Sequence, residues 1–84
     1  MNPYILKIEE DTMQRKKYIT ATGMTAYVSN VVNANGWCTA VVKDGWQHPR
    51  RFDAADVPVR ETVEQAQEDL DRLAARLGWR EVRT

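Results

Sequence analysis

Very little in these 84 residues can carry covalent or metal chemistry. Cys38 is the only cysteine and His48 the only histidine. An intramolecular disulfide is therefore excluded, and Cys and His alone cannot close a tetrahedral zinc site. The four glycines, Gly23, Gly36, Gly45 and Gly78, stand apart at turns or caps, so there is no Gly-rich phosphate loop and no cofactor is expected. No window approaches the ~18 apolar residues of a membrane span. The start Met-Asn-Pro-Tyr has no apolar signal core, so a reducing, cytoplasmic setting without membrane contact is expected. Twelve basic and twelve acidic residues cancel, whereas a dedicated duplex-DNA binder usually shows a basic excess.

What is present suffices for one small core and not two, so residues 1–84 are expected to form a single domain. Trp37, Trp46, Trp79, Tyr4, Tyr18, Tyr27 and Phe52 supply the aromatic anchors that disordered chains lack. Residues 4–9 alternate, with Tyr4, Leu6 and Ile8 on one face, as in a half-buried strand. Residues 16–22 are aromatic and β-branched and end at Gly23. Residues 25–32 fit a strand by β-branching, although Tyr27 with Val31 also fits helical spacing. After a turn at Asn33-Ala34-Asn35-Gly36, residues 37–43 alternate again. Asp44-Gly45 suits a type I′ hairpin turn, which would place Lys43 opposite Trp46 and Val41 opposite His48. The return strand, residues 46–48, meets Pro49, which has no amide to donate and belongs at an edge or bulge. Residues 50–52 continue beyond it.

Val59, Val63, Ala66, Leu70, Leu73 and Leu77 step by 4, 3, 4, 3 and 4, which predicts an amphipathic helix over 59–77. Pro58 suits its first turn, Gly78 its C-terminal cap, and Trp79 can fold back as in a Schellman motif. Glu68 and Arg72 stand four apart in the favourable order. A short final strand at 79–82 completes an α+β expectation: an antiparallel β-meander of about four to five short strands packed against one C-terminal amphipathic helix. The apolar stripe also admits homodimerisation through the helix.

Charge is segregated along the chain. Seven carboxylates lie between Asp53 and Asp71 against one base, Arg60, while bases gather at Arg15-Lys16-Lys17, Arg50-Arg51 and from Arg72 to Arg83. Two binding expectations follow. In the first, the acidic helix face (Glu61, Glu64, Glu68, Asp71) or the hairpin bearing Trp46, His48, Arg50 and Arg51 contacts a protein partner. In the alternative, Arg15, Lys16, Lys17, Tyr18, Lys43 and Trp46 form a basic, aromatic platform for single-stranded nucleic acid. The competing expectation is that Tyr18, Tyr27, Trp37 and Trp46 face the helix and form the core. A Cys38–His48 nucleophile–base pair would need the two side chains within hydrogen-bond reach. The hairpin spacing places Cys38 about three residues too far from the turn, so no catalytic residue is assigned.

The run Arg50-Arg51-Phe52-Asp53-Ala54-Ala55-Asp56, leading from short strands into an acidic, Ala- and Gln-containing helix, resembles a pattern common in small bacterial and prophage-encoded proteins. That resemblance implies a non-enzymatic protein-binding role, such as an adaptor or inhibitor of a host protein derived from a phage or mobile element. It transfers no functional residue.

Overall fold

The computed structural model describes residues 15–33 and 35–82; the strand expected at 4–9 and the turn residue Ala34 lie outside them. Five strands form one antiparallel sheet: β1 (Tyr18–Ile19), β2 (Thr25–Ser29), β3 (Cys38–Val42), β4 (Arg50–Arg51) and β5 (Arg80–Glu81). Helix α1 (Val63–Leu77) lies between β4 and β5 in sequence. The sheet order is β4-β3-β2-β1-β5, so β1 to β4 form a meander and α1 carries the chain back to add β5 beside β1. This is the expected α+β arrangement. The ambiguous segment at 25–32 is strand over its first five residues, each paired with β3 from Thr25↔Val42 to Ser29↔Cys38.

Register sorts the side chains by face, because partners across strands point the same way and alternate along them. Tyr18, Ala26 and Val41 are in register, with Val28 two residues on, and these four pack with Ala66, Leu70 and Ala74 of α1 as the buried core. Trp37, Trp46, Phe52 and Trp79 pack around this core, half-buried. The Phe52 and Trp79 rings meet edge-to-face, 5.4 Å apart between centroids. Most of the aromatics thus serve burial, as a domain of this size requires.

The helix begins later than its apolar spacing predicts. Thr62, in an extended conformation, is its N-cap, and its Oγ1 accepts from the Gln65 amide at 3.2 Å. Val59 and Arg60 are withheld from the helix because the Arg60 main chain pairs with Trp37 in an isolated antiparallel bridge. The buried stripe shifts as well. Gln67, Asp69 and Ala74 are buried, whereas Leu77 is 49% exposed. With Ala66, Leu70 and Leu73 buried, the stripe offers no free coiled-coil seam. At the C-terminus the Schellman expectation holds: Trp79 N donates to Ala74 O at 2.9 Å behind a left-handed Gly78.

The β3–β4 connection also departs from expectation. Trp46 N donates to Lys43 O at 3.0 Å, closing a turn in which Gly45 has φ +97° while Asp44 does not have positive φ. A type I′ turn needs positive φ at both central residues; this one has it only at the second, as in type II. Such turns splay their flanking strands, and Pro49 offers no amide. Pairing therefore resumes only at Arg50, which opposes Val41 in the place expected for His48.

Candidate functional site

The carboxylates of the acidic segment divide into two groups. Asp69 is buried and receives Arg60 Nε at 2.8 Å and Arg60 Nη2 at 3.3 Å, with Arg72 Nη1 at 3.5 Å. That carboxylate raises the Arg60 pKa by hydrogen bonding and by charge. Arg72 thus turns to Asp69 and not to the expected Glu68. Asp56 pairs with Arg76. Asp71 Oδ1 accepts from Tyr18 Oη at 2.7 Å and from Gln67 Nε2 at 2.9 Å. Asp71 is therefore committed to tying α1 to β1, not presented on an open ridge. Glu61, Glu64 and Glu68 are exposed, and among the described residues no ion pair reaches them. The structure keeps those three together and removes Asp71.

The nucleic-acid set is also split. Tyr18 is buried in the core; burial first, then the bond to Asp71, pushes its phenol pKa well up. It offers no stacking face. Lys43 and Trp46 sit beside Val42, at the Thr25 end of β2–β3. Arg15, Lys16 and Lys17 lie at the opposite end, near Ser29 and Trp37.

At that second end a groove is formed by Arg15, Lys16, Lys17, Tyr27, Val31 and Trp37, together with the β2 residues up to Asn30. The Arg15 guanidinium lies over the Trp37 indole, 5.0 Å from its centroid, and Lys17 Nζ lies 5.7 Å from the Tyr27 ring centre. Such pairing stabilises a cation over a ring. Val31 is 78% exposed on the rim, and no carboxylate lines the groove. Tyr27 is on the sheet face away from the core, in register with Ala40 and Arg51.

No family model, curated protein or solved structure matches this chain. The geometry alone therefore ranks the surfaces.

The hairpin candidates are mostly occupied. Arg50 covers the Trp46 ring at 4.4 Å, Trp46 packs against the core, and Arg51 is half-buried in β4. His48 is exposed in the loop before β4. Cys38 is fully buried, and burial raises its thiol pKa against an opposing effect of Arg51. This environment is the reverse of one that generates a thiolate. Among the described residues no cluster of His, Cys, Asp or Glu is placed to hold a metal, and no helix is long and apolar enough to cross a membrane. A second pocket, between Pro58 and α1, is lined by Arg60, Arg72 and Arg76. Asp69 and Asp56 already engage all three.

The candidate set drawn from sequence omits Tyr27 and Trp37, although both stand near its bases. Alternation from Tyr18 places Lys17 on the face opposite the core, but the partner of Lys17 follows only from the β1–β2 register. Arg60 had a visible signal, being the one base among seven carboxylates. Thr62-Val63-Glu64-Gln65 carried another, the T-x-x-Q form of a capping box.

Proposed function

We propose that this protein is a small, non-enzymatic interaction module that binds an anionic macromolecule through the groove at Arg15, Lys16, Lys17, Tyr27 and Trp37. The observation that carries this reading is the pair of cation–ring contacts in a groove free of carboxylates. A charge held over a ring is partly positioned before the ligand arrives, which reduces the ordering cost of binding. Net neutrality does not oppose this, because the carboxylates lie mainly on and before α1 and steering depends on local potential. Heparin chromatography tests it. Retention at low salt is expected, to be lost in Lys16→Glu/Lys17→Glu and kept in Glu64→Gln/Glu68→Gln. Flow-through of the unmodified protein would sink the reading.

A second reading is supported by the exposed, unpaired Glu61, Glu64 and Glu68: recognition of a basic protein surface by the outer side of α1. It predicts that Glu64→Lys/Glu68→Lys abolishes capture of a partner that Lys16→Glu/Lys17→Glu still captures. The opposite pattern would remove the helix face from consideration.

A further inference from the structure

We infer that the occupant of this groove is a short stretch of single-stranded nucleic acid, held by stacking at Tyr27 and Trp37 and by phosphate contacts to Arg15, Lys16 and Lys17. The inference rests on the proposed function and names its ligand. Three consecutive cations match the spacing of charge along a nucleic-acid backbone better than a single anionic group would require. An acidic peptide would use the cations but has no need of two aromatic rings beside them. Unpaired bases do, since every base has a π-face that stacks on aromatic side chains or on a guanidinium plane. Arg15, held over Trp37, serves both purposes: its guanidinium is a planar surface for a base and a charge for a phosphate.

A duplex fits the site poorly. Its bases are already stacked and cannot reach the rings, and a neutral protein with one short basic groove cannot match the charge of two strands. The groove also has polar side chains that can reach base edges. Ser29 Oγ receives the Val31 amide at 3.0 Å, which sets the bend that leaves Val31 on the rim, and the neighbouring Asn30 is exposed. An amide side chain there can both donate to and accept from a base.

The test is an amide-resolved NMR titration of the full chain with an oligothymidylate of about ten nucleotides, run in parallel with the matched duplex and with an acidic glutamate peptide. The expected result is saturable shifts at Lys17, Tyr27, Asn30 and Trp37 with the single strand. Affinity should fall about 20-fold between about 50 and 200 mM salt, from a log–log slope near −2 for three neutralised phosphates. Tyr27→Leu keeps apolar bulk and should weaken binding about tenfold by removing one stacking ring. Lys16→Glu/Lys17→Glu, both exposed, should abolish it while amide dispersion stays native. Binding of the glutamate peptide alone would overturn the nucleic-acid inference and leave the anionic-groove reading standing. Shifts from the oligonucleotide confined to Arg51 and Arg80 would overturn the site. No shift with any of the three would overturn both the inference and the function it rests on.

Discussion

Trp37 and Arg60 exchange both main-chain hydrogen bonds, Trp37 N to Arg60 O at 2.8 Å and Arg60 N to Trp37 O at 2.7 Å. This one residue pair fixes the approach to the helix to the approach to β3. It also sets the position of Trp37 in the groove. The Arg60 side chain continues the tie into α1 through Asp69.

Gly36 leaves room for that clamp. A Cβ there would lie 2.4 Å from Arg60 O and 2.9 Å from Val59 Cγ1. Because backbone on both sides must shift, Gly36→Ala is expected to cost ~2–3 kcal/mol, in the range of overpacking. At Gly45 nothing lies within 4 Å of an added Cβ, so Gly45→Ala meets only its positive φ and should cost ~1 kcal/mol. Urea denaturation of the two variants compares them; equal losses would contradict the close-approach account.

Removing either half of the Arg60–Asp69 pair should not have equal effects. Arg60→Met leaves a buried carboxylate with only Arg72 at 3.5 Å, whereas Asp69→Asn leaves a guanidinium that is 41% exposed and can be hydrated. Arg60→Met is expected to lower the denaturation midpoint more than Asp69→Asn. The double variant Arg60→Met/Asp69→Leu should recover part of the loss, since an apolar pair has no charge to desolvate. A double variant no better than Arg60→Met would refute this.

Thr62→Ala removes the N-cap acceptor for the Gln65 amide. The expected loss is ~1 kcal/mol, with an unchanged denaturant slope. Thr62→Asp should retain stability, because a carboxylate caps as well and favours the helix N-terminus. A tie between Ala and Asp variants would show that the cap contributes nothing measurable.

Tyr18 makes stability depend on alkaline pH. Its phenol pKa is raised in the fold above 10.0, first by burial and then by its bond to Asp71. The folded state therefore holds this proton where the unfolded state has lost it. The contribution is complete below pH 10 and declines as pH rises from there toward the folded pKa. Tyr18→Phe should lose ~2 kcal/mol at neutral pH, typical for a hydrogen bond to a charged group. It should also flatten the decline above pH 10, as followed by urea midpoints from pH 8 to 11. An unchanged alkaline slope would contradict the coupling.

The sequence by itself determined the elements whose cause is local. The meander rests on period-2 alternation and on turn residues such as those before Gly36. The helix and its Schellman ending rest on the 4-3 spacing, Gly78 and Trp79. The core role of the aromatics rests on what a chain of this length must bury. Tertiary structure alone decided what depends on partners distant in sequence. Asp69 and Asp71 carry the same charge as Glu68 and neighbour it, yet the helix turns them toward Arg60 and Tyr18 and leaves Glu68 in solvent. Composition cannot distinguish them, because the difference is an angle around the helix axis relative to a sheet built from other residues. Likewise Lys17 stands beside Tyr18 in the chain but pairs with Tyr27. Alternation sends adjacent side chains to opposite faces, and strand register then selects the ring that each one meets.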